Sequence, residues 1–418
     1  MRKVGRFVPS RFVLTRSRQY SGLCYPGVKL PVIARERALV GPGARSPETS
    51  MATTLSVADF RDTALEPIRE KVLAGARLGF EDGLALYRTH DLLGLGSLAN
   101  HVREAKHGDA AYFVWNTHVN HTNVCVATCD FCAFAAKPGA ERGYTMGLDE
   151  IFRVVAALPR GAREVHIVGG LHPDLPWSYF LDMMRGIKRV RPDIHVKAFT
   201  AVEIFFFHRL YRMPVERVLS ELKEAGLDSM PGGGAEIFAA GTRQRIIKGK
   251  ADAGQWLDVM RTAHRLGIPS NATMLYGHVE SIEDRVDHLI RLRELQDETG
   301  GFVTFIPLAF QPWEAPAMEL PETTGFEDLK ALAVARLLFD NVPHVKSYWI
   351  MITPRLAQVG LSFGADDLDG TVTEEKIAHD AGAETPKVMT VHELVRLIRE
   401  AGRRPVERDT VFNVIREW

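Results

Sequence analysis

The chain has 418 residues, 46% of them hydrophobic and 25% charged, which suits one barrel-sized domain with extensions or two smaller domains. Lys plus Arg and Asp plus Glu balance at 52 each, so no global field recruits nucleic acid or anionic lipid. No apolar run approaches the roughly 20 residues of a membrane helix, so neither nucleic acid nor a membrane is expected as a partner.

Residues 1–35 carry eight Lys and Arg and no acid, the first being Glu36. Such a segment reads as a transit peptide, a basic arm, or a gene start placed too early. "MATTLSVADF" from Met51 has the look of a folded protein's opening, so residues 1–50 are expected to be a disordered or spurious extension. Cys24 falls inside it and carries no weight. There is no secretory apolar region, and the other three cysteines cannot build a disulfide framework, so a reducing cytoplasm is expected.

From residue 55 onward, helical and strand patterns alternate. "LSVADFRDTALEPIREKVLAG" and "FEDGLALYRT" have helical spacing. Ala111–Val119, "AYFVWNTHV", reads as a strand that runs directly into the cysteines. Further strands are expected at 164–168, 194–200, 227–230, 270–276, 302–308 and 345–351, with an eighth at 361–368. The spacers include "LDEIFRVVAAL", "WSYFLDMMRGIKRV", "QWLDVMRTAHRLG" and "SIEDRVDHLIRLRELQDE", all amphipathic helices. Strands separated by helix-length spacers indicate βαβ units, so the expected fold is an α/β parallel (β/α) barrel of TIM type, complete or slightly open. The expected division is a helical segment at 51–110, the barrel at 111–369 and a cap at 370–418 that contains the helix "VHELVRLIREAG".

The unusual loops all follow strands. "CVATCDFC" follows the first, "GGLHP" the second, "TAVE" the third, "PGGGAE" the fourth and "GHVE" the fifth. Barrel chemistry collects beyond the C-terminal strand ends, so these loops mark a reaction chamber.

Cys125, Cys129 and Cys132 are spaced C-x3-C-x2-C with no fourth cysteine nearby. A structural zinc site wants four closed ligands, and His118 or His121 would have to complete it. A catalytic zinc would take three ligands and water. A loop without metal is the plainest reading. A [4Fe–4S] cluster normally takes four thiolates, so three would leave one iron open to chelate the amino and carboxylate groups of S-adenosylmethionine.

With Phe131 as the aromatic in C-x3-C-x-aromatic-C, the loop resembles the signature of the radical S-adenosylmethionine superfamily. "TNVCVATCDFCAF", "GGLHP", "PGGGAEIF", "ATMLYGHVE", "LQDETGGFVTFIPLAF" and "GADDLDGTVTEEKIAHDAGA" together resemble one branch of it. That branch holds aminofutalosine synthase, dehypoxanthine futalosine cyclase and the deazaflavin (FO) synthase subunits. "HVKAFTAVEIF" and "FIPLAFQPW" are most similar to aminofutalosine synthase; the cyclase and an FO synthase subunit are the alternatives, and a non-catalytic zinc-binding barrel a remote one. The resemblance implies an enzyme with a [4Fe–4S] cluster, S-adenosylmethionine as co-substrate, and a low-potential electron donor such as flavodoxin or ferredoxin. It implies addition of a 5′-deoxyadenosyl radical to the enolpyruvyl group of 3-[(1-carboxyvinyl)oxy]benzoate, aryl migration and loss of a carboxylate. The product is 6-amino-6-deoxyfutalosine, on a route to menaquinone.

Site residues follow from these loops. Gly169 and Gly170 sit where the superfamily brings backbone to the methionine amino group; a plain strand-to-loop turn is the alternative. Glu203 and Glu236 are candidates for the adenosyl ribose or amine, or helix-start carboxylates favoured by the dipole. A substrate with two carboxylates calls for cations, with Lys197, Arg243, Arg245 and Lys248 as candidates. His172, Glu203 and His278 are the catalytic candidates.

Overall fold

Ala110–Val114 (β1) and Asn116–Val119 (β2) make the first stave of a parallel barrel in the computed structural model, which describes residues 60–315 and 317–418. The expected extension at 1–50 and the start of the helical segment at 51–59 lie outside the described residues. β3 (Thr128–Cys129) leaves the wall in the loop beyond β2. β2 pairs in parallel with β4 (Glu164–Ile167), and β4 with β5 (His195–Ala198). β6 (Ile247–Lys248) stands outside the wall, antiparallel to β3. Parallel bridges Lys197–Ser229 and Met230–Ser270 carry the wall across to β7 (Ser270–Tyr276). β7 pairs with β8 (Phe302–Ala309), and β8 with β9 (His344–Val345). The bridge Lys346–Asp367 then leads to β10 (Asp367–Gly370), which pairs with β1. Eight staves close on themselves.

Helices such as Trp177–Val190, Ala253–Arg265 and Ile282–Thr299 cross between the staves, so each strand is covered on both faces. β7 is buried along its whole length, as such a strand must be. No described helix is long and apolar enough to cross a membrane.

Four expected strands differ in detail, and the eighth, expected at 361–368, is a turn over its first half and becomes strand only from Asp367. The 111–119 strand breaks at Trp115, where the chain changes neighbours: β1 pairs with β10 and with β11 (Arg404–Arg408), whereas β2 pairs with β4. The fourth stave shrinks to bridging residues Ser229 and Met230. The 345–351 strand stops at Val345 and becomes the short helix Trp349–Ile352, with the Trp349 indole donating to the Gly370 carbonyl at 2.9 Å.

The C-terminal segment has two jobs. Residues Glu375, Ile377, Ala378 and Ala381 line the barrel cavity. Beyond the helix Val391–Glu400, β11 and the antiparallel β12 (Val414–Glu417) extend β1 into a four-stranded sheet.

Candidate active site

The loop after β2 is held by its own backbone. Cys125 N–H donates to Ala136 O at 2.8 Å, Ala136 N–H to Asn123 O at 2.8 Å, and Cys132 N–H to Cys129 O at 3.1 Å. The β3–β6 pair and the bond from Asp130 N–H to Ile246 O at 3.0 Å pin the loop to the segment around 247. All three cysteines are free thiols, and all three line one cavity of about 290 Å³ at the barrel mouth.

Burial pushes the Cys129 thiol up to about 11 and raises Cys132 as well, and each is raised further by a neighbouring cysteine. Cys129 and Cys132, with a third cysteine on the same cavity wall, favour the protonated form unless strong positive charge is supplied. Their donor set fits an iron–sulfur cluster, which binds thiolates and supplies that charge. Lys250 also lines the cavity; burial lowers its affinity for a proton, but Cys129 and Glu236 raise it above the ordinary lysine value. Its Nζ lies 3.5 Å from Glu236 Oε1 and 5.7 Å from the Phe131 ring centroid.

Gly169 and Gly170 press the second loop against the first. A Cβ on Gly170 would lie 2.2 Å from Val124 O, and one on Gly169 would lie 2.3 Å from the His121 ring. Only glycine permits that approach, and both residues remain at the cavity wall. Glu203 ties this loop to the next. Its Oε1 accepts from Gly169 N–H at 3.1 Å, and its Oε2 accepts from Thr200 N–H at 2.7 Å and Thr200 Oγ1 at 2.9 Å. It is therefore both the helix-start carboxylate of Ala201–Leu210 and a cavity-lining group. Burial, partly offset by these bonds, raises its pKa to about 7. Glu236 lines the cavity as well, in the left-handed region at φ 44°.

Four buried charges stand on the strands below the loops. Lys197 Nζ is 2.8 Å from Glu164 Oε2, and Lys346 Nζ donates to Asp369 Oδ1 at 2.8 Å. Both lysines are 2% exposed and both line the cavity. Burial alone would raise Glu164, but Lys197, His166 and Lys346 hold it well below the usual carboxylate range. His118 and His166 stack at 4.5 Å beside them, and burial lowers both, His166 strongly.

Five expected site residues lie elsewhere. Arg243 is buried but turned onto backbone, donating to Gly234 O at 2.9 Å, Ala235 O at 2.5 Å and Ala251 O at 2.7 Å. It braces the glycine loop from outside the cavity. Arg245 and Lys248 are exposed, and Lys248 contributes through the β6 backbone opposite Thr128. His172 Nδ1 accepts from Asp174 N–H at 3.1 Å, a turn contact. His278 is packed in its own loop, Nδ1 3.0 Å from Glu280 Oε2 and Nε2 3.1 Å from Leu275 O. Removing the Arg243 guanidinium leaves three buried carbonyls without partners, so Arg243→Ala should lose about 3 kcal/mol of stability in denaturant unfolding. Arg245→Ala should stay within about 0.5 kcal/mol; equal losses for the two would contradict the bracing role.

Lys250, Lys346, His118 and His166 also line the cavity, none of them expected as a substrate or cofactor contact and only His118 weighed as a zinc ligand. The one signal for the latter three was polar residues on strands otherwise built for burial.

Residues 119–292 match the radical SAM superfamily, and residues 299–417 match the CofH/MqnC C-terminal region. The chain is 53% identical over 364 residues to the aminodeoxyfutalosine synthase of Thermus thermophilus, covering 86% of this chain and 98% of that protein. It is 47% identical over 363 residues to the aminodeoxyfutalosine synthase of Streptomyces coelicolor, covering 84% and 94%. Among solved structures, methylornithine synthase superposes with a TM-score of 0.65 at 17% identity, covering 81% of this chain and 97% of that one, a likeness of fold.

Proposed function

Because the chain belongs to the radical S-adenosylmethionine superfamily, and within it to the aminodeoxyfutalosine synthase family, we propose that it joins the adenosyl group of S-adenosylmethionine to 3-[(1-carboxyvinyl)oxy]benzoate. The product is 6-amino-6-deoxyfutalosine, formed with aryl migration and decarboxylation. The observation that carries this reading is three thiols from one loop sharing a cavity with buried lysines.

When bound, a [4Fe–4S] cluster with one open iron supplies the electron that splits S-adenosylmethionine. Cys125, Cys129 and Cys132 are the residues that would hold it. The backbone of Gly169 and Gly170, with Glu203 and Glu236, lines the space for S-adenosylmethionine. Ile306, Leu308 and Phe310 give an apolar wall for the aromatic ring, and Lys197 offers charge to a carboxylate. Ile377, Ala378 and Ala381 cover the mouth and keep out water that would divert a reactive species. An external low-potential donor, flavodoxin or ferredoxin in kind, is the reductant, and the reaction belongs in a reducing cytoplasm.

The test is an anaerobic assay of the reconstituted protein with S-adenosylmethionine labelled in its adenosyl carbons. Label in the main product is expected. Free labelled 5′-deoxyadenosine in stoichiometric amount would instead assign the chain to a sibling reaction, that of the cyclase or an FO synthase subunit.

A further inference from the structure

We propose that Lys346 and Lys197 together hold the ring carboxylate of the aryl substrate, the carboxylate that survives the reaction, between their ammonium groups at the cavity floor. The proposal rests on the reading above for the identity of the substrate.

Topology brings the two lysines together. Lys197 rises from β5, the third stave, and Lys346 from the end of β9, the seventh. In a ring of eight these staves face each other, and side chains from alternate staves fill one layer of the interior. An ordinary barrel fills such a layer with branched apolar residues. Here it presents two cations, each answered by a carboxylate from the neighbouring stave: Glu164 on β4 and Asp369 on β10. The two lysines are within electrostatic range, and the charge of Lys346 lowers the proton affinity of Lys197.

Hydrogen bonding is left incomplete. An ammonium has three donors. Among the described residues Lys346 Nζ uses one, on Asp369. Lys197 lies in ion-pair range of Glu164, yet among the described residues neither Glu164 oxygen has a well-directed hydrogen-bond partner. His118 Nε2, buried on the first stave and lining the same cavity, also has no partner among the described residues. Buried polar groups are nearly always satisfied, so a cluster of under-used donors at a cavity wall points to an acceptor that arrives with the ligand. A carboxylate placed between two lysines accepts from both and relieves their repulsion.

Depth decides which carboxylate it is. The cysteines stand in a loop beyond the end of β2, whereas both lysines project from the staves themselves. The alkene that reacts must lie toward the cysteines, and it carries the carboxylate that is lost. The ring carboxylate is at the other end of the molecule and reaches the floor. This clamp would make the ring carboxylate a condition for binding.

The experiment is a binding and kinetic cycle on the anaerobically reconstituted protein. The ligands are 3-[(1-carboxyvinyl)oxy]benzoate and 2-phenoxyacrylate, which lacks the ring carboxylate. The proteins are wild type, Lys346→Met, and Lys346→Met/Asp369→Asn, the last leaving no unpaired buried carboxylate. Wild type should bind the diacid about 100-fold more tightly than the monoacid. Each variant should lose most of that factor with the diacid and less than about threefold with the monoacid, with iron content unchanged. Equal losses for both ligands, or a wild type that binds the monoacid as well as the diacid, would overturn the clamp. Product labelling in wild type judges the synthase reading separately: tight diacid binding through Lys346 without labelled product would reject that reading and keep the clamp.

Discussion

Cys129→Ala is expected to give a folded barrel that retains less than one iron per chain and makes no product, a loss of at least about a thousandfold. The fold survives because Cys129 serves the structure through its backbone. It pairs with Ile247 in the β3–β6 ladder and accepts the Cys132 N–H at its carbonyl, and alanine keeps both. Its thiol faces the cavity, so truncation removes little packing, about 1 kcal/mol or less. Function fails because two remaining thiolates cannot hold what three hold. Cys125→Ala and Cys132→Ala should behave alike. Iron and sulfide analysis, the visible spectrum and denaturant unfolding measure these outcomes together. A Cys129→Ala protein with near four irons and undiminished turnover would dismiss the site.

The barrel was readable because parallel staves covered on both faces must be apolar runs, and helix-length spacers separate them. Where a strand depends on charge, the apolar pattern carries no signal. β11, "RPVER", looks like surface, yet Glu407 and Arg408 are buried, with Arg408 joined to Asp367 of β10. The cysteine loop was legible because its information is local: three residues within one short segment. Lysines carry no such mark. Lys346 means something only beside Asp369 and opposite Lys197, and those neighbours come from distant staves. Arg243 misled for the converse reason. Basic residues near a helix end usually face solvent or a ligand, but here the short helix Ala240–Ile246 lies across the glycine loop and turns Arg243 onto its carbonyls.

Glu203 should make the folded protein measurably sensitive to pH. Burial raises its pKa from the ordinary 4.5 to about 7, even though Thr200 and Gly169 donate to its carboxylate. Between those values the folded chain keeps a proton that the unfolded chain has released, so stability falls as pH rises. The contribution is fully present below about pH 4.5 and lost above about pH 7. It amounts to about 3 kcal/mol in all, with a slope of up to about 1.4 kcal/mol per pH unit. Glu203→Gln cannot titrate and isolates the effect. Its amide places an N–H2 where the carboxylate accepts, against either the Gly169 or the Thr200 N–H, so the variant carries a fixed penalty. That offset does not vary with pH, and the slope is the diagnostic. Unfolding free energies measured anaerobically at intervals from pH 5 to pH 8 should show wild type falling by about 2 kcal/mol or more relative to the variant. Parallel curves would place the Glu203 pKa at its ordinary value. The same balance links stability to binding. A cation entering beside Glu203, as Lys250 already acts from one side, favours the carboxylate form and strengthens its hold on Gly169. The loop that packs against the cysteines is then held most firmly when the cavity is charged.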